Sequence, residues 1–171
     1  MTRIVDTNIV LIANQQHKDV SSECVSECTL QLLTITQSGR VAIDDGFRIL
    51  KEYQRKTNAN QGNRIGDAFV KWVLRNNANP TRCDQVQLKN HPVRGFESFP
   101  DDLDLKDFDI SDRMFVAVAC AHPQHPPILE AADSKWLGWA EALKRNDVEV
   151  LFVCEDDIRR FQQQKAKNKD R

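Results

Sequence analysis

The segment TRIVDTNIVLIAN, residues 2–14, determines how the fold begins and contains its first candidate functional residue. A short apolar run leads into Asp6, Thr7 and Asn8, after which the sequence becomes apolar again. Such a run is typical of a buried strand in a parallel sheet. A carboxylate at the end of a strand either caps the helix that follows or contributes to a polar site. The positions of the other acids decide between these two roles.

The composition indicates a single globular domain. The chain has 171 residues, of which 40% are hydrophobic and 29% are charged. Its 24 basic and 25 acidic residues give a net charge of −1, which excludes the overall positive field of many nucleic-acid-binding proteins. Residues 97–112 are acidic and residues 159–171 are basic. We therefore divide the chain into a domain at residues 1–155 and a basic C-terminal helix or tail at residues 156–171.

The sequence predicts a cytoplasmic protein with reduced cysteines. It shows neither a signal peptide nor an apolar run long enough to span a bilayer, so we expect no membrane association. The five cysteines include no CxxC pair. Cys24 and Cys28 are one helical turn apart, but no second pair completes a tetrahedral zinc site, so buried thiols are the favoured interpretation.

Strand and helix patterns alternate along the chain. Strands are predicted at residues 3–8, 40–45, 83–88, 127–133 and 148–154, and helices at 21–39, 46–57, 66–77, 111–121 and 134–146. Ser111 is the predicted N-cap of the fourth helix. This alternation predicts an α/β fold, a three-layer sandwich whose central, mainly parallel sheet is flanked by helices.

Four acids are placed where such a sheet forms its functional sites, beyond the carboxyl ends of the strands. Asp6 and Asp133 end predicted strands, Asp112 lies in the first turn of a helix, and Glu52 follows the second strand. Converging carboxylates raise one another's pKa, and a divalent cation relieves this conflict. Oxygen ligands without clustered His or Cys favour Mg²⁺ or Mn²⁺, as one or two ions.

The same acids carry a resemblance to the PIN-domain nuclease family. IVDTNIVL with Asp6, ILKEY with Glu52, SDRMFVAVA with Asp112 and ILEAADSKW with Asp133 follow the order of the family's motifs. The resemblance extends from Thr2 to about Val153. It implies a PIN-like fold, and a metal-dependent nuclease that cuts single-stranded RNA with these four acids as catalytic, metal-holding residues.

Further residues near the four acids are candidates for supporting roles. Asn8 and Ser134 match positions of the family pattern, and the Asn8 amide could orient Asp6 or a water. Asp109 or Asp45 could supplement the acidic set. Two cations that adjoin the acids are candidates for phosphate binding, namely Arg113 and Lys135.

Each acid also has a purely structural explanation. Asp6 could cap the following segment, and Glu52 could pair on its helix surface with Lys56. Asp112 could interact with the dipole of its helix. Asp133 is harder to explain in this way because it follows an apolar strand. The ordered set therefore favours a site over four independent structural roles.

The expected function is a metal-dependent endoribonuclease that acts on single-stranded RNA, with DNA as a further substrate to test. A toxin or defence nuclease fits this class, with an antitoxin or another neutralising protein as partner, and a homo-oligomer is compatible with it. The alternative is a catalytically inactive PIN-like module for nucleic-acid binding or assembly. A phosphatase of the haloacid-dehalogenase type is disfavoured because it needs a second Asp where this chain has Asn8.

Overall fold

Five short apolar strands pair in parallel at the centre of the protein in the computed structural model, which describes residues 1–169. The strands in chain order are β1 (Thr2–Val5), β2 (Arg40–Asp44), β3 (Cys83–Val86), β4 (Asn90–His91), β5 (Gly95–Phe96), β6 (Ile128–Glu130) and β7 (Val150–Phe152). The sheet has the order β3-β2-β1-β6-β7, whereas β4 and β5 form a separate antiparallel hairpin. The hairpin lies between residues 88 and 111, where neither a strand nor a helix was predicted.

The central strand β1 lies at the point where the sheet changes its direction of winding. It pairs with β2 on one side, Thr2 opposite Arg40, and with β6 on the other, Ile4 opposite Ile128. The chain first builds outward through β2 and β3, and later continues on the opposite side through β6 and β7. Ligands bind at such a switch point in open α/β sheets. The loops after β1 and β6 are therefore the expected location of a site.

Within residues 1–169, seven helices flank this sheet, which confirms the predicted α/β sandwich. The helices are α1 (Thr7–Ala13), α2 (Ser22–Ser38), α3 (Arg48–Lys56), α4 (Ile65–Asn76), α5 (Arg113–Ala121), α6 (Lys135–Arg145) and α7 (Glu155–Lys169). Helix α1 packs against α2, α3 and α4, α5 contacts β1, β2 and β6, and α6 contacts β7. Among residues 1–169, none of the helices has both the length and the apolar character needed to cross a bilayer.

Helix α3 is held in place by hydrogen bonds from its first turn and from Tyr53. The buried carboxylate of Asp44, at the end of β2, accepts hydrogen bonds from the backbone N–H groups of Arg48 (3.0 Å) and Ile49 (2.9 Å). The buried Tyr53 hydroxyl donates to the carbonyl oxygen of Val5 at the end of β1. Both contacts fix α3 against the carboxyl edge of the sheet, which is where the site was predicted.

Helices α1 and α4 approach each other closely at Gly66. A Cβ atom at this position would lie 2.3 Å from the carbonyl oxygen of Val10, closer than side chains pack. Beside it, the Asn14 amide donates to Asp67 Oδ1 (2.9 Å) and accepts from the backbone N–H of Asp67 (3.1 Å). This buried polar contact fixes α1, the helix that begins directly after Asp6.

Several element boundaries differ from the sequence prediction. β6 ends at Glu130, so Asp133 lies three residues beyond the strand and not at its last position. The basic C-terminal segment forms the long helix α7 from Glu155 to Lys169. The last two residues of the predicted tail, Asp170 and Arg171, lie outside the described residues.

Cys24 at the start of α2 and Cys154 between β7 and α7 form a disulfide. The prediction that all cysteines are reduced thiols is therefore wrong for this pair. The pairing left no signal in the sequence because 130 positions separate the two cysteines. Cys28, Cys83 and Cys120 are free thiols, as predicted.

Reduction of this disulfide should destabilise the protein markedly. In the chain-entropy description, opening a loop of this length lowers the free energy of unfolding by about 4 to 5 kcal/mol. Thermal unfolding with and without dithiothreitol would measure the effect, with Cys24→Ser expected to match the reduced wild type. Cys120→Ser serves as the control and should keep the full sensitivity to dithiothreitol. Equal melting temperatures for oxidised and reduced wild type would contradict the expectation.

Candidate functional site

Asp6 is a buried carboxylate between the end of β1 and the start of α1. Its Oδ2 accepts a hydrogen bond from the backbone N–H of Asn8 (2.9 Å), so Asp6 is also the N-cap of α1. The pKa of Asp6 is raised to about 6, mainly by burial and to a smaller extent by the charges of Glu52 and Asp133, against the lowering effect of Asn8 and Glu130. Capping is thus confirmed as one role of Asp6, but it does not neutralise the carboxylate.

Glu130, the last residue of β6, is the acid that the sequence analysis missed. It is fully buried, and its Oε1 accepts hydrogen bonds from the backbone N–H groups of Ala131 (2.9 Å) and Asp133 (3.2 Å). Burial and the adjacent Asp6 raise the pKa of Glu130 well above its usual range. Its Oε2 is buried and, among the described residues, receives no hydrogen bond. Glu130 lowers the pKa of Asp6, whereas Asp6 raises that of Glu130, so Glu130 is the one of the two that keeps its proton.

The signal for Glu130 was present in the sequence. It is a charged residue within the apolar run ILEAA, at a position where a buried parallel strand normally carries an aliphatic side chain. Charged residues are rarely buried without a partner. Glu130, inside the strand, was therefore as strong a signal of a functional site as Asp133, which follows the strand.

Glu52 lies on α3 and faces the beginning of α1. Its Oε1 accepts a hydrogen bond from the Thr7 hydroxyl (2.8 Å), and its Oε2 lies 3.9 Å from Nη2 of Arg55. The side chain of Glu52 is 15% exposed. Its cationic neighbour on the helix is Arg55, whereas a purely structural role predicted a pair with Lys56. The contact with Thr7 places Glu52 beside Asp6, and its charge raises the pKa of Asp6.

Asp112 reaches the site from a 3₁₀ turn at Ile110–Asp112 that leads into α5. Asp109 caps this turn, since its Oδ1 accepts from the backbone N–H (3.2 Å) and the hydroxyl (3.0 Å) of Ser111. Ser111 is therefore not the N-cap that the sequence predicted. The pKa of Asp112 is raised to about 7. Burial is the largest cause, and the negative charges of nearby acids add to it, namely Asp6, Asp109, Glu52 and Asp133.

Asp133 and Ser134 lie in the loop that connects β6 to α6. The Asp133 Oδ1 accepts from the backbone N–H of Lys135 (2.9 Å), and the backbone N–H of Asp133 is held by Glu130. The Ser134 hydroxyl accepts a hydrogen bond from Nζ of Lys165 on α7 (2.6 Å). The Lys135 residue is exposed, so its phosphate-binding role stays a prediction.

Other predicted supporting residues have structural contacts. Arg113 is buried, and its guanidinium donates to the carbonyl oxygens of Phe108 (3.2 Å), Val93 (3.3 Å) and Lys106 (2.8 Å). These bonds hold residues 93–108 in place, and the phosphate-binding role of Arg113 stays a prediction. Asp45 Oδ1 accepts from the backbone N–H of Leu88 (3.1 Å) and belongs to the β2–β3 edge.

The four predicted acids therefore act on one another electrostatically. The charges of Asp6, Glu52 and Asp133 all raise the pKa of Asp112. Within residues 1–169, the sulfur atoms of Cys24, Cys28 and Cys154 are the one set of three potential ligands whose atoms all lie within 4.8 Å of one another. No three carboxylates in this part of the chain are as close. Two of the three sulfur atoms form the disulfide, so this set offers no hard-cation site.

No protein-family model, curated protein or solved structure matches the chain.

The raised pKa of Asp112 predicts how stability depends on pH. An acid whose pKa is higher in the folded state binds more protons there than in the unfolded state. In EDTA, the contribution of Asp112 to the free energy of unfolding should therefore fall as the pH rises from about 4 to about 7. Asp112→Asn should be more stable than wild type by roughly 1 to 2 kcal/mol near pH 8, after allowance for solvent screening, and similar to it near pH 4.5.

Urea unfolding at these two pH values measures the difference. Glu149→Gln removes an exposed charge near the start of β7, at the opposite edge of the sheet, and should show no such pH dependence. A stabilisation by Asp112→Asn that is equal at both pH values would contradict a raised pKa.

A protonated Glu130 predicts that glutamine replaces it well. The Glu130→Gln amide can accept the two backbone N–H groups and donate to Asp6, so we expect a change in unfolding free energy within about 1 kcal/mol. Glu130→Leu leaves those N–H groups without an acceptor and should cost about 2 to 3 kcal/mol. Urea unfolding of both variants near pH 7 tests this. Equal destabilisation by Gln and Leu would contradict a protonated Glu130.

Proposed function

We propose that the chain is a metal-dependent endoribonuclease of PIN-like type that hydrolyses phosphodiester bonds in single-stranded RNA. The observation that carries the proposal is the position of Asp6 and Asp133. Both follow adjacent strands at the switch point of the sheet, and Glu52 and Asp112 lie within electrostatic reach of them. Four acids from four separate elements act on one another at the edge where such sheets bind ligands.

The chemistry of these side chains fits Mg²⁺ or Mn²⁺. All four predicted ligands are carboxylates, the hard oxygen donors that these ions prefer. Asp6 and Asp112 have pKa values raised by burial and by like charges, a conflict that a bound cation removes. Cation binding should therefore release protons near neutral pH, because each carboxylate must be ionised to act as a ligand.

Asp6, Glu52, Asp112 and Asp133 would hold one or two cations. A cation of this kind activates water and stabilises negative charge on a scissile phosphate. Glu130 keeps the Asp133 backbone in place and, by keeping its own proton, favours the ionised form of Asp6, so it is a positioning residue. The exposed Lys135 is available for a phosphate oxygen. Asn8 supports Asp6 through its backbone N–H, and its side chain lines the adjacent cleft.

The biological setting is a further part of the proposal. A nuclease that acts on RNA needs restraint in its host, which favours a toxin or defence role with an antitoxin or another protein partner. The RNA substrate favours a cytoplasmic location, whereas structural disulfides such as Cys24–Cys154 are rare in the cytoplasm. The oxidation state of this pair in freshly lysed cells would test the location.

Cleavage of a labelled single-stranded RNA with Mn²⁺ or Mg²⁺ tests the reaction, with matched DNA and duplex RNA as further substrates. We expect activity that EDTA abolishes. Asp6→Asn and Asp133→Asn should each reduce kcat/KM by about 100-fold or more, since a ligand to the catalytic charge supplies several kcal/mol. Glu149→Gln, the exposed control at the opposite edge, should retain wild-type activity.

The same experiment distinguishes the enzyme from an inactive PIN-like module. If the chain is an enzyme, we expect Mn²⁺ to raise the melting temperature of the wild type, and we expect this effect to be lost in Asp6→Asn. Unchanged cleavage by both aspartate variants would overturn the assignment of the site. Binding of RNA without Mn²⁺-dependent stabilisation or cleavage would instead support the module for binding or assembly.

A further inference from the structure

A cleft of about 420 Å³ lies directly beside the acidic residues. One wall is formed by Asn8, Asp133 and Ser134, which follow the two strands at the switch point. The opposite wall is formed by α7, with Phe161 and Lys165, and by His17 in the loop between α1 and α2. The cleft thus joins the acidic site to the basic C-terminal helix.

A lysine ammonium group spans the two walls. Nζ of the exposed Lys165 donates a hydrogen bond to the Ser134 hydroxyl (2.6 Å), and Ser134 directly follows Asp133. A positive charge on a different element therefore lies next to the carboxylates without forming a direct ion pair with Asp133 among the described residues. A phosphate group that enters the cleft can replace the serine hydroxyl as the partner of this ammonium.

Aromatic rings line the same wall. The His17 ring is exposed and the Phe161 ring half-buried, with their centroids 6.3 Å apart at an interplanar angle of 38°. The guanidinium carbon of Arg160 lies 5.2 Å from the centroid of Phe161. Aromatic and cationic side chains together are the groups on which unpaired bases of single-stranded nucleic acids stack.

The α7 wall is anchored at its base. The buried Asp157 accepts hydrogen bonds from the backbone N–H (2.7 Å) and hydroxyl (2.6 Å) of Ser21, and from Nη2 of Arg160 (3.0 Å). The disulfide of Cys154 lies directly before this helix. These contacts hold α7 in place before a ligand binds, which reduces the entropy lost on binding.

We propose that this cleft binds the nucleotide next to the cleaved phosphodiester in a single strand of RNA. Lys165 contacts its phosphate, and the His17 and Phe161 rings stack on its base. The volume of the cleft lies in the range of about 300–1,000 Å³ found for small-ligand sites, which suits one unpaired nucleotide. The inference rests on the proposed nuclease function, which it extends by naming the residues that select a single strand.

The test compares Phe161→Leu, His17→Leu and Lys165→Gln with Lys167→Gln, a charge-matched control on the exposed part of α7 that does not line the cleft. Each cleft variant should raise KM for a 12-nucleotide RNA about tenfold and change kcat less than twofold. This corresponds to the loss of one stacking or phosphate contact. The control should match wild type, and thermal unfolding establishes that each variant is folded.

Fluorescence anisotropy of the same RNA in EDTA measures binding independently of cleavage. Weaker binding by the cleft variants, with wild-type binding by Lys167→Gln, supports the cleft even if the wild type proves inactive as a nuclease. An active nuclease whose KM and Kd are unchanged in all three cleft variants overturns the cleft and leaves the proposed function intact. Equal affinity for the matched duplex, or a loss of kcat with unchanged KM, also overturns it.

Discussion

Asp6 is buried at the end of the central strand, and the other parts of the site are arranged around its charge. An ionised carboxylate that is removed from water is unfavourable unless hydrogen bonds or opposite charges compensate. The backbone N–H of Asn8 in α1 and the neighbouring protonated Glu130 provide part of this compensation. The charges of Glu52 and Asp133 have the opposite effect, because they raise the pKa of Asp6 and so disfavour its ionised form. The folded chain therefore holds negative charge at this edge beyond what its own hydrogen bonds neutralise.

The order of the strands explains why these acids lie at the same edge of the sheet although they are far apart in sequence. β1 and β6 are adjacent and parallel, so the loops that leave them point to the same side of the sheet. Tyr53 and Asp44 fix α3 at this edge and thereby place Glu52 near Thr7. The position of the site is thus a consequence of strand topology, and its local chemistry depends on a few hydrogen bonds between elements.

The fold class, and with it the positions of Asp6 and Asp133 after two adjacent strands, could be predicted from the sequence because alternating buried strands and helices leave a periodic pattern. Contacts between distant segments leave no such pattern. Arg113 adjoins Asp112 in sequence, yet its guanidinium is held by the loop that contains Phe108. The Cys24–Cys154 pair likewise depends on the packing of α2 against the end of β7. Glu130 was predictable in principle, since an acid in an apolar strand needs a special environment.

The cleft joins Asn8, near the beginning of the described residues, to Lys165, near their end. During synthesis on the ribosome, the strands and acidic residues emerge before α7 is complete. A nascent chain at that stage has the carboxylates but lacks the wall that carries Phe161 and Lys165. The acidic edge can therefore form before the surface beside it, and the cleft is completed only when the last helix packs onto the domain.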